Sequence, residues 1–206
     1  MEIRIRKATK ADLKSIYKIE KRSFPPELRA THHALNHRFE TFGIWIAEMG
    51  GTAAGFFTCV PAKLSWPEPE LEKILGHRHP QYRPWFDEYK KGGEFNTLYI
   101  TSTAVDSEHQ GKGAGKAMVE YSLQLAKGMG LSYRASVLRV SGYRAYHKDT
   151  GRPAKDYIEE VKKGTVKNPF LGIYLKLGFE LGKVISNYEP DRSSLNHGVF
   201  AYKKVV

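Results

Sequence analysis

The sequence predicts a mixed α/β (α+β) fold, and three observations predict it. Residues 2–8 alternate charged and aliphatic side chains, the period of a half-buried strand. Two apolar runs at 42–48 and 52–60 are joined by Met49-Gly50-Gly51, which reads as a hairpin. A strand at 96–106 passes through a glycine-rich turn, Gln110-Gly111-Lys112-Gly113-Ala114-Gly115, into a helix that runs to about Lys127.

The remaining elements follow in order. Leu13, Ile16, Tyr17 and Ile19 recur at helical spacing over 10–22, and Phe24-Pro25-Pro26 stops that helix. Leu28, Leu35 and Phe39 give a weaker helical pattern over 27–40. Residues 61–95 carry prolines, Trp66, Trp85 and many charges, and read as a long insertion with short helices near 69–75 and 85–91. Gly128-Met129-Gly130 closes the helix after the glycine turn. A strand at 133–140 precedes a second charged insertion at 141–167, with a helix expected at 154–163. A helix over 168–177 closed by Gly178, then strands at 179–187 and 198–204, complete the chain.

Composition bounds the function. A chain of 206 residues argues for one domain spanning 1–206, with the insertions at about 61–95 and 141–167. Apolar residues are 41% and charged residues 27%, which suits a packed domain and argues against disorder. No apolar run approaches the ~20 residues of a membrane span. The start Met1-Glu2-Ile3-Arg4-Ile5-Arg6 lacks a signal-peptide core, so a cytoplasmic protein is expected. The single cysteine, Cys59, excludes an internal disulfide framework and a Cys-rich metal site, and reads as a small apolar strand residue. The net charge of +11 favours polyanionic partners, although a basic surface also serves solubility.

The glycine turn carries the chemistry. The first turn of a helix leaves N–H groups unpaired, and the helix dipole adds positive potential there. Glycines adopt positive φ and let backbone approach a phosphate; Lys112 and Lys116 add charge. Residues 110–116 are therefore expected to hold a phosphate or pyrophosphate, the alternative being a tight turn with no ligand. The pattern is not a P-loop, because Gln110 and Ala117 stand where Gly and Ser/Thr are needed. Glycines at 111, 113 and 115 also miss the dinucleotide fingerprint.

Gln110, Gly113 and Gly115 fill the Q/R-x-x-G-x-G/A pattern, and Val105-x-x-x-x-Gln110-Gly111-x-Gly113-Ala114-Gly115 resembles the acyl-CoA pyrophosphate loop of the GNAT superfamily of N-acetyltransferases. Ile173-Tyr174-Leu175-Lys176-Leu177-Gly178-Phe179-Glu180 is similar to a second hallmark of that family. The resemblance covers the chain apart from the two insertions. It implies a mixed, mostly antiparallel central sheet of six to seven strands flanked by helices. It also implies that backbone groups of Thr103, Ala104 and Val105 bind the pantetheine arm, and that Gly111, Lys112, Gly113, Ala114, Gly115 and Lys116 hold the pyrophosphate. Gln110 belongs to the same loop, Asn168 is a candidate CoA contact, and Tyr174 is the general acid for the departing thiolate.

The implied activity is transfer of acetyl from acetyl-CoA to a primary amine by direct attack in a ternary complex, with no metal. A polypeptide N-terminus or lysine is the favoured acceptor and a small-molecule amine the next. This chain departs from the family where a glutamate is expected: the strand before the loop offers Thr101, Ser102 and Thr103, and the next strand offers Arg139. The base is then a water relay or one of Glu94, Tyr188, Glu189 and Asp191. The stretch Ser186-Asn187-Tyr188-Glu189-Pro190-Asp191 resembles the peptide-holding loop of N-terminal acetylases, and is also composed of turn residues. Asn168 stands six residues before Tyr174, one short of the family's spacing.

Several features admit bland readings. His32, His33 and His37, and the pair His77 and His79, read as solvated surface in preference to metal ligands. Trp45 reads as core, while Trp66 and Trp85 suit either an acceptor pocket or a small core of the insertion. Arg78, Arg83, Arg144 and Arg152 in the insertions suit an acidic acceptor. The alternative function is a non-catalytic CoA-binding or nucleic-acid-binding module on the same fold; nucleic acid is disfavoured by the absence of an aromatic RNA-binding motif, zinc-finger spacing or helix-turn-helix. A homodimer is compatible with the sequence, and no membrane partner is expected.

Overall fold

The computed structural model describes residues 2–41, 43–66, 69 and 91–206. Its strands are β1 (Ile3–Lys7), β2 (Ile44–Met49), β3 (Thr52–Ala62), β4 (Thr97–Val105), β5 (Tyr133–Arg139), β6 (Glu180–Ile185) and β7 (Gly198–Lys204). The helices are α1 (Leu13–Ser23), α2 (His32–Thr41), α3 (Ala114–Gly128), α4 (Tyr143–Thr150), α5 (Ala154–Lys163) and α6 (Pro169–Lys176). The sheet has seven strands in the order β1-β2-β3-β4-β5-β7-β6. The pairs β1–β2, β2–β3, β3–β4 and β6–β7 are antiparallel. The chain divides into two compact units, one holding the described residues up to Arg134 with Val205–Val206, the other Ala135–Lys204.

In the first unit, α1 begins where Asp12 accepts from both the N–H and the hydroxyl of Thr9, at 2.7 and 2.8 Å. Asp12 and Glu48 also share the Arg6 guanidinium, which ties β1, β2 and the start of α1 together. The hairpin between β2 and β3 pairs Met49 with Thr52 across Gly50 and Gly51, whose φ values of 57° and 77° are those a two-residue hairpin turn demands. Ile44 and Ile46 pack with Phe56, Ile16, Ile19 and Leu35. Their neighbours Trp45 and Ala47 join Phe57, Cys59 and Met118 of α3 in a second cluster. Both faces of the sheet are thus covered, which is why β3 reads as a continuous apolar run.

The expected helix over 27–40 is instead a 3₁₀ turn at Pro26–Leu28 followed by α2 from His32. Pro25 and Pro26 set the turn, the Glu20 carboxylate accepts the Ala30 N–H at 2.6 Å, and the Thr31 hydroxyl accepts the Ala34 N–H as a cap. β3 runs on to Ala62, past the expected start of the first insertion. Beyond it, the Asn96 side chain bonds both backbone groups of Leu64, and Trp66 stacks on Tyr133 at 3.8 Å while its indole N–H donates to Thr97 Oγ1. Trp66 therefore packs at the base of the insertion. The helices expected near 69–75 and 85–91, and His77, Arg78, His79, Arg83 and Trp85, lie outside the described residues.

In the second unit, α5 forms at 154–163 as expected, burying Ala154, Tyr157, Ile158 and Val161. The preceding α4 had no place in the sequence reading. It is bounded by Gly142 and Gly151, both at positive φ (89° and 68°), and buries only Tyr143. Gly198 in β7 is required by contact: a Cβ there would lie 2.7 Å from Val137 and 2.8 Å from the Tyr188 ring.

Candidate functional site

The site begins with an irregularity in β4. Thr58 of β3 pairs with Ser102 and Cys59 pairs with Ile100, so Thr101 is an extra residue that bulges β4. The Thr58 and Thr101 hydroxyls meet at 2.6 Å across the bulge. Past it, Thr103, Ala104 and Val105 pair with Phe57, Phe56 and Gly55. Gly55 has no room for a side chain, since a Cβ would lie 2.7 Å from the Ala104 carbonyl.

From Val105 the backbone enters the turn under several ties. The Val105 carbonyl accepts from Ser23 Oγ at 3.0 Å and from the Gln110 amide at 3.3 Å. Asp106 caps the 3₁₀ turn Ser107–His109 by accepting the Glu108 N–H at 3.0 Å. Burial pushes the Asp106 carboxyl up, and the Glu108 N–H and the Arg22 guanidinium pull it below its ordinary value by more. Gly111 and Gly113 stand at φ 75° and 94°, where a side chain is strained, and Gly113 is the N-cap of α3. The first intrahelical acceptor is the Gly113 carbonyl, bonded by the Ala117 N–H at 3.0 Å. The N–H groups of Ala114, Gly115 and Lys116 therefore point out of the helix start without intrahelical acceptors. A Cβ on Gly111 would meet nothing within 4 Å, and the nearest atom to one on Gly115 would be Val105 Cγ2 at 3.7 Å. Lys112 Nζ donates to the Glu108 carbonyl at 2.8 Å, and exposed Lys116 pairs with Glu120 at 3.3 Å. Residues 103–105 and 110–116, expected to act together, thus form one continuous strand, turn and helix start.

Tyr174 lies in α6 of the second unit. It is buried, edge-on to Phe170 and Phe179 at ring distances of 5.6 and 5.2 Å. Asn168 caps the same helix by accepting the Leu171 N–H at 2.9 Å, and its amide donates to the Ser141 carbonyl and the Tyr157 hydroxyl. Both its donors are used, which leaves one acceptor lone pair for any further contact.

The candidate bases differ in setting. Asp191 accepts from Ser193 Oγ and the Ser194 N–H, and faces Arg139 at 3.9 Å. Burial raises its carboxyl, and the Ser194 and Ser193 donors with Arg139 outweigh burial and hold it below its ordinary value. Tyr188 covers Gly198, Glu189 is half-buried, and Glu94 is exposed. Arg152 is bound to Asp156 and Glu160, so of the arginines expected to face an acceptor it is already matched by carboxylates. Cys59 is buried, which pushes its thiol far up. His32 stacks on Tyr17, and no group of three metal-ligating side chains occurs among the described residues. No helix among the described residues is long and apolar enough to cross a membrane. Arg22, Ser23, Asp106 and the Thr58–Thr101 pair went unread in the sequence. Only Asp106 carried a signal, as a helix-cap residue ahead of Ser-Glu-His.

A family model described as the Acetyltransferase (GNAT) family matches residues 13–148, about two thirds of the chain. The chain belongs to the GNAT acetyltransferase family. The matched span of this GNAT chain includes the bulge, the glycine turn and all of α3; Asn168 and Tyr174 lie beyond it. YkwB of Bacillus subtilis (strain 168), an uncharacterized N-acetyltransferase, is 26% identical over 98% of this chain and 88% of its own length. The GNAT-like decarboxylase GphF, solved with isobutyryl-CoA, superposes with a TM-score of 0.79 at 24% identity, covering 98% of this chain and all of its own. The phosphinothricin acetyltransferase of Sinorhizobium meliloti, solved with acetyl-CoA, gives a TM-score of 0.60 at 15% identity, covering 99% of this chain and 89% of its own. The GNAT fold expected from the sequence, with its mostly antiparallel seven-stranded sheet, is the fold found.

Proposed function

We propose that this chain works as one N-acetyltransferase domain, moving the acetyl group of acetyl-CoA to a primary amine. The observation that carries the reading is the start of α3. Two glycines at positive φ lead into a helix start whose Ala114, Gly115 and Lys116 N–H groups lack intrahelical acceptors, as a diphosphate needs. The acyl-CoA complexes of its structural neighbours support the same donor.

The chemistry follows from the groups involved. The amine nitrogen attacks the thioester carbonyl, the C–S bond breaks, the amine loses a proton and the thiolate gains one. A lysine amine at pKa ≈ 10.4 is neutral at pH 7 only at a cost of about 4–5 kcal/mol, against about 1 kcal/mol for an α-amine. A polypeptide N-terminus is therefore the leading acceptor, lysine and small-molecule amines following. β4 around its bulge and β5 carry no carboxylate, and Asp191 is held as a weak base, which leaves a water relay, Glu94, Tyr188 or Glu189 to take the amine proton. Tyr174 supplies the proton to the thiolate. Backbone groups of Thr103, Ala104 and Val105 hold the pantetheine arm, and residues 110–116 the pyrophosphate.

Calorimetric titration with acetyl-CoA and CoA, followed by thiol release with peptide and small amines, tests the reading. Micromolar binding and amine-dependent thiol release are expected; no heat up to millimolar acetyl-CoA would sink it. Tyr174→Phe should lower kcat by roughly a hundredfold with little change in donor affinity. Donor binding without turnover on any amine leads back to a CoA-binding module.

A second reading is favoured by the hydroxyl pair at the bulge. A carboxyacyl-CoA could lose CO2 there: the C–C bond breaks, its electron pair forms an enolate, and the α-carbon takes a proton. A hydroxyl of the pair that turned from its present partner, the Thr58 carbonyl at 3.3 Å for Thr101, would donate to the enolate oxygen as a carboxylate does not, and GphF is a GNAT-like decarboxylase. Conversion of malonyl-CoA to acetyl-CoA and CO2 on incubation would decide for this reading; unchanged malonyl-CoA would end it.

A further inference from the structure

Two carboxylates, Asp106 and Glu108, stand immediately before the glycine turn. Negative charge there opposes any phosphorylated ligand, since both lie in the turn leading to the N–H groups that would hold it. The structure answers them with one side chain from α1. Arg22 places one guanidinium nitrogen 3.2 and 3.4 Å from the two Asp106 oxygens and the other 2.8 Å from Glu108. Its neighbour Ser23 bonds the Val105 carbonyl at 3.0 Å. The last turn of α1 thus grips the backbone on the strand side of the loop, 82 residues away in sequence.

We propose that Arg22 is a positioning residue for the acyl donor: its charge offsets one of the two carboxylates, Asp106 and Glu108, and its fork fixes the turn so that the helix start accepts a diphosphate. The inference rests on the acyl-CoA reading above. Asp106 serves the turn by capping the 3₁₀ segment, and Glu108 supplies the carbonyl that anchors Lys112. The Asp106 carboxylate is kept for geometry, and Arg22 offsets half of the negative charge that the two side chains bring. The guanidinium fork suits two carboxylates at once, which a lysine cannot match.

The test compares two donors. Acetyl-CoA carries the diphosphate and acetyl-pantetheine does not. Arg22→Ala should raise the Kd for acetyl-CoA about tenfold at low salt, less at high salt, and leave kcat/KM for acetyl-pantetheine unchanged. Arg22→Lys should fall between. Adding Glu108→Gln to Arg22→Ala should restore part of the affinity, which a purely structural role would not do. Glu108→Gln alone, at a side chain 64% exposed, keeps the test open if Arg22→Ala does not fold. It should tighten acetyl-CoA by about twofold, and unchanged or weaker binding overturns the inference. An Arg22→Ala protein that binds acetyl-CoA like wild type, or loses equally on both donors, also overturns it. Wild-type protein that binds no acetyl-CoA overturns the donor reading itself.

Discussion

Gly115→Ala should raise stability and leave the acyl donor bound. Gly115 sits in the first turn of α3 at an ordinary helical φ, and a Cβ there meets nothing closer than Val105 Cγ2 at 3.7 Å. The folded chain can therefore take the methyl without strain. Alanine favours a helix over glycine by up to about 1 kcal/mol, which in a chain of this size raises Tm by about 2–4 °C. The acyl-CoA loop pattern that Gln110, Gly113 and Gly115 fill admits alanine at the Gly115 position, so a diphosphate held by the Ala114–Lys116 N–H groups should tolerate the methyl. Loss of one charge-assisted hydrogen bond, at about 1.5–3 kcal/mol, would raise the Kd for acetyl-CoA roughly 10- to 150-fold, so an intact contact is readily told from a lost one. Thermal unfolding and calorimetry on the same preparation read both quantities. A lowered Tm, or a Kd raised by about tenfold or more, refutes the reasoning.

Other expectations concern stability and reactivity. Gly198→Ala drives a Cβ into Val137 and Tyr188, so overpacking should destabilise by about 1–3 kcal/mol and lower Tm in a thermal melt. Asp12 is held below the ordinary aspartate value of 3.8 by Arg6, despite burial, and Asp106 and Asp191 also lie below it. Protonation then favours the unfolded chain, so stability is full above about pH 4 and declines as pH falls toward the depressed values. Urea titrations at pH 7 and pH 3 should show that loss, and Asp12→Asn should shrink it. Cys59 should resist a thiol reagent in the native protein and react at once in denaturant; fast native labelling would contradict its burial.

What the sequence showed and hid follows physical lines. β4, the glycine turn and α3 were legible because they are local: alternation, two glycines and an amphipathic run lie within one stretch. The helix boundary at α2 was missed because Pro25-Pro26 and the Glu20–Ala30 bond decide it, and the second is a side-chain contact invisible to periodicity. α4 was missed because it is short and charged and buries a single residue, although its flanking glycines marked both ends. In the candidate site, the loop glycines announced themselves through spacing. Arg22 did not, since a basic residue on an exposed helix face looks the same whether or not a carboxylate distant in sequence meets it. Arg152 shows the converse: an arginine in an insertion suggested an open charge, and two glutamate and aspartate neighbours on α5 already hold it.

The ends of the strand order have a bearing on solubility. Among the described residues, β1 and β6 each have a strand neighbour on one side only, so each presents a row of backbone donors and acceptors to any other strand that arrives. β1 places exposed Arg4 and Lys7 among Ile3 and Ile5, and β6 breaks its register between Leu181 and Val184 around exposed Lys183. Charges and irregularities of this kind discourage edge-to-edge growth into aggregates. Replacing Arg4 and Lys7 by valine would leave every internal pairing in place and turn β1 into a flat, sticky border, and turbidity on storage would report it. The basic residues at the start of the chain therefore guard the sheet against its own copies.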